Sequence, residues 1–366
     1  MNKSKPKSYI SSVPVRDRIS APQPLGLETI SLSYNELPFK PTRKIAKAIE
    51  DVKDKAGFYG DPMCFDLRNE IENVFEISKK NVICGNGSEE LIDVIARNFV
   101  GSSDEILISE FGYIQFVLAA NRLNARLKKA PEKQYCTDVD ALITMINSKT
   151  KLIFLANPNN PTGTAIEIDE ITRLIKKMPS NIVLVLDLAY GEFVGFDYCK
   201  KIHGLVGQYE NVVVTRTFSK AFGLAGLRVG WCHAPEAMMS GFYAARGMGS
   251  VNAMAQAAAK AGLSDLDEIN SRIKLIVSER ERVASALFKI GIQTLPSQAN
   301  FLLATVADYG KEITEDLVQF LFNNAGIIVN RTRETGLDSF MRFSLSLPEN
   351  NDVLIKSCIK FMSHRQ

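Results

Sequence analysis

The sequence predicts an α/β protein built on a mainly parallel central sheet, followed by a smaller α+β domain. Between about residues 29 and 260, short apolar runs alternate with helix-length amphipathic segments. The apolar runs are continuous rather than alternating, the mark of strands covered on both faces and therefore of a parallel sheet. After Leu266 the order changes to one long charged helix and then to apolar runs separated by helices, which reads as a second, mixed unit.

Taken in order, the first 25 residues are rich in Lys, Pro and Ser and read as an extended arm. The first strand is expected at TISLSYN, residues 29–35. NVICG, EILIS, KLIFLAN, IVLVLD, NVVVTRTFS and RVGWCHA follow as strands, with EELIDVIARNF, IDEITRLIKKM and MSGFYAARG as helices between them. The long helix is EINSRIKLIVSERERVASALFKIG, and NFLLATV, GIIVN and MRFSLSL are the last strands. The expected division is an arm over 1–27, a large domain over 51–266, and a small domain from 28–50 with 267–366, completed by the N-terminal strand.

The chain has 366 residues, 46% of them hydrophobic, enough for a large core. With 44 basic against 41 acidic residues, the net charge of +3 offers no footprint for nucleic acid or an anionic membrane. Small molecules are the expected partners. No window approaches the ~20 apolar residues of a membrane span, and the N-terminus lacks the apolar core of a secretory signal, so a soluble cytoplasmic protein is expected. Six cysteines stand without a C-x-x-C pair and three histidines stand apart, which argues for reduced thiols and against a metal site.

The ends of the expected strands carry polar residues of unlike kinds. CGNGSEELI places a glycine turn before Ser88 and Glu89 at a helix start, which serves either as a plain cap or as an anion seat. EFGY supplies Tyr113, NPNNPTG supplies Asn160, and LVLDLAYGEF places Asp187 and Tyr190 at the end of a buried strand. An aspartate there is costly unless a cation meets it. TRTFSKAFGLAGLRVGW adds Ser219, Lys220 and Arg228. Lys220 standing alone would read as a surface charge; together these residues suit pyridoxal phosphate. Lys220 would take its aldehyde, Asp187 its ring nitrogen, Ser88, Ser219 and Arg228 its phosphate, Tyr190 and Asn160 its ring hydroxyl, and Tyr113 would stack on its ring.

Over residues 28–362 the chain resembles the fold-type I aminotransferases, and most closely the histidinol-phosphate aminotransferase family. The resemblance rests on LSYNELPF, FYGDP, NGSEELI, FGY, NPNNPTG, DLAY, RTFSKAFGLAGLRVG, VNAMAQAAA, SQANFLL and MRFSLSLPEN, in family order. It implies Lys220 as catalytic lysine, with Asp187 and Tyr190 beside it. Ser88, Glu89, Tyr113, Asn160, Ser219 and Arg228 follow as cofactor residues. Arg342 becomes the anion-binding arginine for substrate, with Asn330, Tyr34 and Asn35 on the substrate side. Tyr59 matches a tyrosine that in that family reaches a neighbouring subunit's cofactor phosphate, which implies a homodimer.

Departures from the family pattern fall on the substrate side. Leu188 stands where an acidic residue usually follows the aspartate, Leu37 replaces a polar residue, and Met248 and Gly249 replace a proline and an aromatic. The arginine that in histidinol-phosphate enzymes helps hold the substrate phosphate aligns with Asn330, although Arg331 and Arg333 lie close by. The resemblance therefore implies a ping-pong aminotransferase using glutamate and either a 2-oxo acid or a histidinol-phosphate-like ketone. A decarboxylase, an oxidase or a carbon–carbon bond-forming enzyme on the same fold is the alternative. A non-catalytic module would be expected to have lost Lys220 or Asp187, and both are present.

Overall fold

The computed structural model of the chain describes Ser4 and residues 7–11, 26–306, 311–332 and 336–363. Most of the expected arm, and Arg333, lie outside the described residues.

The strands are β1 (Ile30–Ser31), β2 (Val82–Gly85), β3 (Glu105–Ser109), β4 (Arg126–Ala130), the hairpin β5 (Glu132–Lys133) and β6 (Cys136–Thr137), β7 (Thr150–Ala156), β8 (Val183–Asp187), β9 (Val212–Thr217) and β10 (Gly230–His233). They continue with β11 (Gln293–Thr294), β12 (Phe301–Thr305), β13 (Ile327–Ile328), β14 (Asn330–Arg331) and β15 (Phe340–Ser344). Seven form the central sheet in the order β2-β10-β9-β8-β7-β3-β4. From β4 to β9 every neighbouring pair is parallel. Strand β10 alone runs antiparallel, to both β9 and β2.

Successive side chains of a strand point to opposite faces, and here both faces are covered. Ile106, Ile108, Val185 and Val213 pack with helices Ser88–Phe99 and Ile114–Leu123 on one side. Leu107, Leu184, Leu186, Val212 and Val214 pack with helices Ile168–Lys177 and Phe196–Gln208 on the other. That double burial is why the strands read as unbroken apolar runs. Strand β4 was not expected, because its RLKKA lies at the sheet edge with most side chains reaching solvent. Lysines on an edge strand discourage pairing with another chain.

Beyond the long helix Leu266–Phe288, strands β11-β12-β15-β14 form an antiparallel sheet. Two expectations need correction. The strand expected over 29–35 is only β1, paired in parallel with β13, after which the chain turns at Asn35 with φ 54°. The single strand expected in GIIVN divides between β13 and β14, which belong to different sheets. The histidines also do not all stand apart. Buried His203 and His233 meet at 3.2 Å between their Nδ1 atoms, and burial pushes His203 well below the ordinary histidine range and His233 down to about 4. Among the described residues no helix is long and apolar enough to cross a membrane.

Candidate active site

In a parallel sheet the strands end at one common edge, so residues that follow different strands converge there. Asp187 ends β8, Asn160 follows β7, Tyr113 follows β3, Ser88 follows β2, and Ser219 and Lys220 follow β9. Arg228 reaches the same edge by the opposite route. It precedes β10, whose first residue, Gly230, is in register with Gly85 of β2 and Thr217 of β9. The reversed strand thus brings a residue from its beginning to the edge where its neighbours end.

The turn before helix Ser88–Phe99 is built from glycine where side chains would collide. A Cβ at Gly230 would stand 2.5 Å from the Ser88 backbone nitrogen, and one at Gly87, held at φ 80°, would stand 2.6 Å from Arg228 Nη2. Arg228 Nη1 donates to Ser219 Oγ at 3.4 Å. Backbone amides of a helix N-terminus, a serine and a guanidinium therefore face one small space, a donor set suited to phosphate. Arg228 Nη2 also lies 3.5 Å from Glu89 Oε2, and Tyr113 donates to Glu89 Oε1 at 2.8 Å.

Asp187 is 2% exposed and accepts a 2.8 Å hydrogen bond from Thr215 Oγ1. Burial raises its pKa to about 6. Among the described residues no basic side chain forms an ion pair with it, so the carboxylate is provided for by one hydroxyl and lacks the cation expected from the sequence. A protonated pyridine nitrogen fits that gap. Thr215 had no sequence signal beyond standing in a buried strand.

Lys220, half-buried, donates to the carbonyls of Tyr34 and Asn35, each at 3.1 Å, with Nζ 5.9 Å from the Tyr190 ring centroid. Burial, with the nearby Arg342 charge adding to it, lowers its pKa to about 8. The Tyr190 hydroxyl accepts from Asn35 Nδ2 at 2.8 Å, and burial pushes it up to about 12. Arg342 donates to Asn160 Oδ1 at 2.5 Å and to the Ser33 carbonyl at 3.0 Å, joining β15 to the loop after β7.

Most of the expected site residues therefore converge; Tyr59 does not. It is fully exposed, with Phe58, Met63, Phe65 and Met248 also prominent at the surface. Among the departures, Leu188 is buried in the apolar layer with Leu186 and Ile202, and Leu37 packs against a separate cluster that contains Leu32, Ile45 and Phe301. Gly249 has φ 68° and open space where a side chain would stand. Asn330 is directly opposite Arg342 across β14 and β15. Arg331 is opposite Met341 and pairs with Glu315.

Sheet topology and the polar groups at its edge define a fold-type I transferase. Residues 28–357 match the model of the family described as aminotransferase class I and II, and the chain belongs to that family. It is 36% identical over 337 residues to a histidinol-phosphate aminotransferase of Granulibacter bethesdensis, covering 92% of this chain and 90% of that one. It is 35% identical to histidinol-phosphate aminotransferase 1 of Mannheimia succiniciproducens, covering 93% and 92%. The crystal structure of a histidinol-phosphate aminotransferase from Sinorhizobium meliloti in complex with pyridoxal-5'-phosphate superposes with a TM-score of 0.87 at 26% identity, covering 93% of this chain and 92% of that one.

Proposed function

We propose that this aminotransferase moves amino groups between glutamate and an unphosphorylated 2-oxo acid, with histidinol phosphate the poorer partner. Its cofactor is pyridoxal phosphate, which supplies an aldehyde for amines and a ring that draws electrons from the substrate. Asp187 would face the ring nitrogen, and Ser88, Ser219 and Arg228 the phosphate. Tyr190 and Asn160 would orient the ring hydroxyl, and Tyr113 would cover the ring. Lys220 carries the proton at the substrate Cα; an amine with a pKa near 8 is poised to give and take it close to neutral pH. Arg342 binds the carboxylate of donor and acceptor in turn.

One observation carries the choice of substrate: the residue beside Arg342 is Asn330. A phosphate ester calls for dense positive charge, and an asparagine amide offers only neutral donors where a guanidinium offers a charged fork. Arg331 does not replace it, because adjacent side chains of an extended strand point to opposite faces and Arg331 stands opposite Met341 while Asn330 stands opposite Arg342. Losing one charged partner costs about 1.5–3 kcal/mol, roughly ten- to a hundredfold in binding. The expected result is that kcat/KM for at least one unphosphorylated 2-oxo acid or amino acid exceeds that for histidinol phosphate. Asn330→Arg should shift the ratio toward the phosphate ester by a similar factor. The relatives' names favour the second reading, histidinol phosphate itself, and wild-type enzyme that turns it over best would establish that reading. Carbon dioxide release in the same assay would point to the decarboxylase alternative.

We further propose a cytoplasmic homodimer of two-domain chains, divided as residues 51–266 and 28–50 with 267–366. Six free thiols fit a reducing compartment. The exposed Phe58, Tyr59 and Met63 flank Gly60 and Asp61 in the chain, which line an open groove of about 670 Å³ with Val52, Phe65, Ala253, Ala257 and Lys260, a partly apolar surface that suits a second copy. Tyr59 would then serve the neighbouring subunit's phosphate. Mixing an inactive Lys220→Ala chain with a defective Tyr59→Phe chain is expected to restore activity, since one of the two shared sites regains both residues. Heterodimers without activity would mean that each chain serves itself.

A further inference from the structure

Asn35 touches more of the site than its place in a short connecting turn requires. It is 1% exposed and adopts φ 54°, the left-handed region that a non-glycine residue enters at a cost. Its N–H donates to Ser344 Oγ at 2.8 Å, and its carbonyl accepts from Asn300 Nδ2 at 3.1 Å, which ties the turn to β15 and to the residue before β12. Its side chain donates to the Tyr190 hydroxyl at 2.8 Å. Its carbonyl, with that of Tyr34, accepts from Lys220 Nζ at 3.1 Å. One residue thus links β15, the tyrosine after β8 and the lysine after β9.

We propose that Asn35 is a positioning residue whose left-handed turn aims the Tyr34 and Asn35 carbonyls at Lys220 and holds the free amine over the Tyr190 ring whenever it is not joined to the cofactor. The inference rests on Lys220 acting as the proton carrier. A lysine released from a covalent link regains four rotatable bonds, and holding it near its reacting position requires acceptors fixed in advance. Two backbone carbonyls can do this only while both point inward. Without the left-handed turn the carbonyls rotate away, and the amine leaves its desolvated position for water. The charged groups that act on it there are Arg342 and Arg228, which disfavour the ammonium, and Glu36 and Glu89, which favour it.

The test uses full-length apoprotein, limiting acetic anhydride as the amine probe, and mass spectrometry of the Lys220 peptide across a pH series. Wild type should show a labelling midpoint at about 8. Asn35→Gly accepts the left-handed turn without strain and should keep that midpoint. Asn35→Ala should move it toward the ordinary lysine value of about 10.4, with roughly a hundredfold less labelling at neutral pH. Should Asn35→Ala fail to fold, Ser344→Ala, which removes the acceptor of the Asn35 N–H, is expected to shift the midpoint the same way. An unchanged midpoint in whichever of these two variants folds, or an Asn35→Gly shift as large as theirs, would overturn the proposal. Failure of borohydride to fix the cofactor on Lys220 would instead overturn the role of the lysine, leaving the effect of Asn35 on its labelling intact.

Discussion

Lys220→Ala should abolish turnover while leaving the cofactor in place. Proton transfer by a positioned side chain contributes about 10²–10⁴-fold, and at least that much of kcat should go. Binding should persist, because the phosphate contacts proposed above would come from Arg228, Ser219 and the start of helix Ser88–Phe99, none of which depends on Lys220. Borohydride treatment of wild type should fix the cofactor to the peptide containing Lys220, and the variant should release all its cofactor on denaturation. Full activity in the variant would defeat the mechanism, since no other lysine stands among the site residues that meet at this edge.

Asp187→Asn should cost about 10²–10³-fold in kcat, the usual effect of removing one preorganised electrostatic partner of the reacting centre. The same change should stabilise the apoprotein, and the sign can be worked out. Burial raises the pKa of Asp187 from the ordinary 3.8 to about 6, so the folded chain holds this proton more tightly than the unfolded chain does. Its favourable contribution is complete below about pH 4 and is lost as pH rises through 6. Above that, the ionised carboxylate costs about 3 kcal/mol. Urea denaturation of the two apoproteins should agree near pH 4, and the asparagine variant should be the more stable at pH 8. Cofactor should reverse the order at pH 8 by supplying the missing cation. A wild-type apoprotein no less stable than the variant at pH 8 would mean that Asp187 already has a cationic partner in the protein.

Sequence alone determined the buried strands, because a strand covered on both faces carries a continuous apolar run, as in the VLVL of β8 and the VVV of β9. It also determined which polar residues lie at the ends of those strands, since Asp187 follows an apolar run directly and Asn160 and Lys220 come a few residues beyond one. Where local signals were weak it was silent: β4 is charged because it is an edge, and the two strands in GIIVN are too short to part by pattern.

Only the tertiary structure decided how those strand ends meet. Reversal of β10 is invisible in RVGWCHA, because hydrophobicity carries no direction, yet it is what sets Arg228 beside Ser219. Arg342 and Asn160 are 182 positions apart and Asn35 and Tyr190 are 155 apart, distances at which periodicity says nothing and strand register says everything. Register, too, sets Asn330 opposite Arg342 and Arg331 opposite Met341, so that of these two neighbours the asparagine is the one beside Arg342. Residue identity supplied the chemistry; the alternation of side chains across paired strands selected which of those residues share a face.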